Sequence, residues 1–126
     1  MTLLRLTCVA VALFLSGIAI GADAPPLKAA NGVLVDAAGM TVYTYDKDEA
    51  GSGKSSCVAT CAKNWPPVKA QGKPRPPYSV VTRADGSKQL AHGGKPLYTF
   101  VKDKKAGDKT GDGVGGVWHV VSVAVP

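Results

Sequence analysis

GMTVYTYDKD at residues 39–48 and GKPLYTFVKD at residues 94–103 are two copies of one segment. Matching Gly39 to Gly94 lays Tyr43 over Tyr98, Thr44 over Thr99, Lys47 over Lys102 and Asp48 over Asp103 without a gap, and pairs Val42 with Leu97 and Tyr45 with Phe100. Each copy then runs through a Gly- and Lys-rich stretch to a tryptophan, Trp65 in the first and Trp118 in the second. An ordered series of identities ending on a shared landmark is the mark of duplication. Within each copy the alternation is that of a strand. Tyr43 and Tyr45 share one face and Val42 and Thr44 the other, and Tyr98 and Phe100 repeat the aromatic face.

Working outward, residues 33–35, a turn at 36–39 and a strand from Met40 read as a hairpin. The second half offers strands at 79–83, 88–91 and 97–101, separated by Asp85-Gly86 and Gly93-Gly94 turns, and a final strand at 117–125. Short strands with no long helical period predict an all-β fold. The expected form is a small antiparallel meander, a sandwich or open barrel, built from two tandem pseudo-symmetric repeats with at most one short helical turn near 56–63. Repeat one covers about 31–68 and repeat two about 79–125. Pro66-Pro67 and Lys73-Pro74-Arg75-Pro76-Pro77 make residues 66–77 a proline-rich connection, read as a spacer.

With 126 residues there is room for one domain, and part of that length reads as a leader. Arg5 precedes an apolar run from Leu6 to Ile20, and small residues follow at Gly21, Ala22 and Ala24. That is the form of a secretory signal over residues 1–24, too short and wrongly flanked for a membrane span, with 25–126 as the single β-rich domain. A lipidated cysteine follows the apolar run, whereas Cys8 opens it and leaves with the leader. Removing Arg5 and Asp23 leaves fourteen basic and eight acidic side chains, still +6. Such a charge serves ordinary solubility, which is the first reading, and also suits an anionic envelope component, while export argues against nucleic acid as the partner.

Cys57 and Cys61 are the cysteines left after cleavage. An exported chain with two cysteines four apart on a helical turn, with Ser55 and Ser56 as candidate N-caps, points to a disulfide. The alternative is a soft-metal site for Cu(I), or thiol redox chemistry, on the same pair. His92 sits at a hairpin tip, and His119 lies between Trp118 and Val120, where a partly buried, hydrogen-bonded imidazole is expected.

Asp48 and Asp103 follow the aromatic strand at the same place, either as equivalent ligand contacts or as carboxylates accepting backbone N–H groups of the next loop. Gly53-Lys54-Ser55 lacks the first glycine of a phosphate loop, and Ala50 and Cys57 fall where a calcium loop needs oxygen. No nucleophile with base and orienter can be written down, so the chain reads as non-enzymatic and without cofactor.

Tyr43-Thr44-Tyr45-Asp46-Lys47-Asp48 and Tyr98-Thr99-Phe100-Val101-Lys102-Asp103 resemble the Tyr-x-aromatic-x-x-Asp motif of a family of bacterial secreted-repeat lipoproteins. The cysteine pair followed by Trp65-Pro66-Pro67, and the closing Trp118, are similar to that family too. The resemblance spans nearly all of the chain after the leader. It implies an envelope location and tandem repeats but no activity, since the family is of unknown function. The absence of a usable acylation cysteine departs from the lipoprotein pattern. Together these readings describe a periplasmic or secreted binding module.

Overall fold

Asn31 and Gly32, with φ of 52° and 81°, close the first hairpin, in which β1 (Lys28–Ala30) pairs antiparallel with β2 (Val33–Val35). Asn-Gly favours the positive dihedrals that a two-residue hairpin loop demands. In a computed structural model of the protein, residues 26–123 are described; the predicted leader at 1–24 and the last residues of the expected final strand lie outside them. The expected turn at 36–39 is present. Asp36 donates its N–H to the Met40 carbonyl and accepts the Ala38 and Met40 N–H groups on Oδ1.

The chain continues through β3 (Tyr43–Tyr45), a single helical turn α1 (Thr60–Asn64), β4 (Tyr78–Thr82), β5 (Lys88–His92), β6 (Lys95–Pro96), a 3-10 turn at Val114–Gly116 and β7 (Trp118–Val120). The all-β reading with two repeats and one small helical turn holds. The strands form three small antiparallel sheets, β1-β2, β3-β7 and β4-β5-β6.

Neither repeat completes its own sheet. Tyr43, Thr44 and Tyr45 of repeat one pair with Val120, His119 and Trp118 of repeat two. In return, Thr99 and Val101 of repeat two donate N–H bonds to the carbonyls of Pro66 and Asn64, at 2.8 and 3.1 Å. Leu34 donates to Val121 and accepts from Val42, and Leu90 likewise donates to Val68 and accepts from Leu97. The two repeats are therefore related by an approximate two-fold axis, and each hands its closing strand to the other. Tyr43 and Tyr98 lie at the junction and exchange both backbone hydrogen bonds, at 2.7 and 2.9 Å.

The strand expected at 97–101 is not regular. Tyr98 makes isolated bridges to Tyr43 and Pro67 instead. Pro66 and Pro67 stand where β7 has His119 and Val120, and a proline has no N–H to complete a ladder.

The expected faces separate two cores. Tyr43, Trp65, Tyr98, Phe100 and Trp118 form an aromatic cluster with Cys57. Leu27, Leu34, Val42, Leu90 and Leu97 form an aliphatic one on the other side of the strands.

Candidate functional site

The repeat motifs meet at the two-fold axis, and their polar ends cross over. The Tyr43 hydroxyl donates to Asp103 Oδ2 at 2.6 Å, and the Tyr98 hydroxyl donates to Asp48 Oδ2 at 2.5 Å. Each carboxylate thus holds the tyrosine of the other repeat. The second oxygen of each ties down its own following loop. Asp48 Oδ1 accepts the Ser56 N–H at 2.6 Å, and Asp103 Oδ1 accepts the Thr110 N–H at 2.9 Å and the Thr110 hydroxyl. Asp48 is 2 % exposed and Asp103 6 %. Buried carboxylates are tolerated when both oxygens find donors, as these do.

A double-mutant cycle reads this crossing directly. Asp48→Ala with Tyr98→Phe should show a coupling of about 0.5–3 kcal/mol in unfolding free energy, while Asp48→Ala with Tyr43→Phe should be nearly additive. Equal coupling in both cycles would count against the crossed pairing.

Burial first, and then the hydrogen bond to Asp103, raises the Tyr43 pKa far above the ordinary tyrosine range; burial and Asp48 do the same for Tyr98. A raised folded pKa means that the stabilising contribution is complete below the unfolded tyrosine value, about 10, and is lost as pH climbs through the folded value. Between those two values each tyrosine should therefore lower stability by about 1.4 kcal/mol per pH unit. In an alkaline titration, the tyrosinate absorbance of these two residues should rise together with loss of near-UV circular dichroism.

The aromatic partners stack in one column, Tyr45–Trp118–Trp65–Phe100, with ring centroids 4.3, 3.8 and 3.9 Å apart. The axis passes between Trp65 and Trp118, whose planes differ by 3°. Tyr43 abuts Trp65 edge-on at 5.3 Å, and Tyr98 abuts Trp118 at 5.2 Å. Stacked and edge-on geometries are those that aromatic quadrupoles favour. Gly111 closes the column, since a Cβ there would lie 2.7 Å from Trp65 Cη2.

The two polar centres differ at their outer ends. Around Tyr43, the Gly111 N–H donates to the hydroxyl at 3.2 Å. Around Tyr98, Ser55 Oγ lies 2.6 Å from the hydroxyl, and the buried Arg83 donates to Ser55 Oγ, to Gln89 Oε1 and to the Cys57 carbonyl at 2.8, 2.8 and 2.6 Å. Because the Tyr98 proton is given to Asp48, the Ser55 hydroxyl donates to Tyr98. The chain runs one way, from guanidinium to carboxylate. Gln89 Nε2 donates on to the Leu97 carbonyl at 2.7 Å. Sequence reading missed Arg83, Gln89 and Ser55 in this role. Gln89 left one signal, a polar residue at a strand position that repeat one fills with Val33: the two make equivalent bridges, to Lys69 and Ser122.

Cys57 and Cys61 are joined as a disulfide with Cα atoms 5.2 Å apart. The distance is shorter than that of two residues in one helix because Cys57 precedes α1, whose N-cap is Ala59 at φ 54°. Ser55 and Ser56, expected as N-caps, do not cap it. Their side chain and N–H are taken by Tyr98 and Asp48. The double change of both cysteines to Ala should leave the protein folded. It closes so small a loop that the loss should stay below the roughly 3 kcal/mol of a 15-residue loop. Chemical denaturation, with limited proteolysis near Lys54, checks this.

The histidines lie apart from the cysteines' bonded pair. His119 Nε2 is 2.8 Å from Asp46 Oδ2, with both side chains about half exposed, and His92 packs edge-on against Tyr78. Among the described residues, no group of three or more His, Cys, Asp or Glu side chains is placed to hold a metal, and no helix is long and apolar enough to cross a membrane.

What fold and site define is a class, the all-β protein of two strand-exchanged tandem repeats fastened by crossed Tyr–Asp pairs. The chain belongs to a family described as a secreted repeat of unknown function, which matches it twice, over residues 27–69 and 79–122. Each matched span ends on the strand donated to the other repeat. No curated protein and no solved structure matches the chain.

Proposed function

We propose that the chain, once exported, is a non-enzymatic binding module whose outer face engages an anionic component of the cell envelope. The observation that carries this is the inward turn of the motif. Tyr43 with Asp103 and Tyr98 with Asp48 are buried hydrogen-bonded pairs, Phe100 is buried in the stack and Tyr45 is half-buried at its end, so recognition falls to the exterior. That exterior carries excess cations, with a chain charge of +6. They gather in the loop of repeat two, where exposed Lys102, Lys104, Lys105 and Lys109 outnumber Asp108 and Asp112; in the loop after β3, Lys47 and Lys54 are matched by Asp46 and Glu49. A surface of this sign attracts polyanions and loses them as salt screens it.

Co-sedimentation with bacterial envelope fragments tests the proposal. Retention should be strong at low salt, weaken above physiological ionic strength, and fall in a Lys102→Glu, Lys105→Glu, Lys109→Glu variant. Retention unchanged by salt and by the variant would reject it.

A second reading, thiol exchange or copper binding at Cys57 and Cys61, draws on one observation: Cys61 is part-exposed while Cys57 is fully buried, so the bridge lies near the surface on the Cys61 side. Thiol titration of exported protein separates the two readings. Two free, metal-protectable thiols would favour the second.

A further inference from the structure

In the β4–β5 ladder, the Arg83 N–H bonds the Ser87 carbonyl and the Gly93 N–H bonds the Pro77 carbonyl. Hydrogen-bonded pairs alternate along an antiparallel ladder, so Ser79 and Val81 bond β5, while the backbone groups of Tyr78, Val80 and Thr82 point the other way. On that side the Tyr78 N–H reaches the Arg75 carbonyl. The N–H and C=O groups of Val80 and Thr82 have no hydrogen-bond partner among the described residues. β4 is the outer strand of its sheet, and Ser79, Val80 and Thr82 are exposed.

Edge strands are ordinarily guarded by a lysine, a proline, a bulge or an inward charge. Tyr-Ser-Val-Val-Thr has none of these within its length, and its composition favours extended pairing. The cations stand around it instead. Lys73 precedes it in the chain, and Lys88 on the neighbouring strand places Nζ 2.8 Å from Thr82 Oγ1. Asp85, in the turn beyond, has its Oδ1 engaged by the Ser87 N–H and hydroxyl.

We propose that the β4 edge is a docking site for an extended, acidic peptide segment, which adds as a further antiparallel or parallel strand. Strand addition draws affinity from backbone hydrogen bonds to the unpaired groups and selectivity from side chains flanking them. Two copies of this chain pairing β4 to β4 would bring like-charged proteins together, each at +6, whereas carboxylates beside Lys88 and Lys73 are matched in sign. The proposal rests on the envelope-binding reading and names the partner for that surface.

The test uses the whole protein and a fluorescent synthetic peptide alternating Glu with Val and Thr, followed by anisotropy and by amide shifts. Binding should move the Val80 and Thr82 amides first. Peptides N-methylated on every second residue should divide by frame, one losing at least tenfold in affinity and the other little. That comparison leaves the protein unaltered. Val80→Pro removes an outward N–H that β5 does not use, so it should abolish binding while circular dichroism and melting temperature stay near the parent's. Equal binding by both N-methyl frames, shifts centred away from β4, or concentration-dependent self-association through β4 without peptide would each overturn the proposal. Envelope retention without peptide binding would overturn it and leave the broader reading standing; loss of both would remove both.

Discussion

Peptides covering residues 26–72 and 73–126, prepared separately, should each be unfolded, and should regain the native near-UV circular dichroism only when mixed. The reason lies in the exchange of closing strands. Alone, repeat one would keep its β1–β2 hairpin, but Tyr43 to Tyr45 would lose the partner strand β7. Asp48 would lose Tyr98, and Trp65 would lose both its stacking neighbours, Trp118 and Phe100. Repeat two would lose the strand containing Pro66 and Val68, leaving the Leu90 and Thr99 N–H groups without their acceptors. A lone hairpin of this size is marginal in water. The connection at 70–78 normally makes the encounter intramolecular, with an effective concentration in the millimolar range for a short tether, so reassembly of separate halves should depend on concentration. If the first peptide alone showed dispersed amide resonances and a cooperative melt, the repeats would be independent and the exchange would carry little energy.

Trp65→Ala or Trp118→Ala should destabilise the protein by about 3–5 kcal/mol, the range for emptying a large aromatic site in a core. Domains of this size are stable by about 5–15 kcal/mol, so either change should remove a large share of the total. Both rings are nearly fully buried, at 5 % and 4 % exposure, and each touches three other rings in the cluster. The double change should cost less than the sum of the singles, because the contact they share across the axis is removed only once. Trp65→Phe, which keeps a ring in the column, should cost less than Trp65→Ala. Urea denaturation of the four proteins measures this; a strictly additive pair would deny the direct stack.

The amino-acid sequence alone settles the duplication, because five identical columns at residues 39–48 and 94–103 need no tertiary information to align. It also determined the strand faces: period-two alternation put Tyr43 and Tyr45 with the aromatics and Val42 with the aliphatic side, where the two clusters hold them. The turns at Asp36, Asp85-Gly86 and Gly93-Gly94 were legible through residues that accept positive φ or fold a carboxylate onto their own backbone. The Asn31-Gly32 hairpin carried the same signal and went unread, so β1 was missed.

Which repeat each motif serves is set by the folded chain. Alternation places a tyrosine on a face, but the partner that its hydroxyl reaches is set by chain topology, and the pairing that won is Tyr43 with Asp103 and Tyr98 with Asp48 rather than the pairing within one motif. The same topology spent Ser55 and Ser56 on that network instead of on a helix cap. It also buried Arg83, a charged residue at the end of the strand expected at 79–83. Local propensity acts over a few residues, whereas a buried donor or acceptor must be matched wherever in the chain its partner lies. Crossing the pairs satisfies every such group across the two-fold axis, and that condition belongs to the assembled pair of repeats and not to either segment read alone.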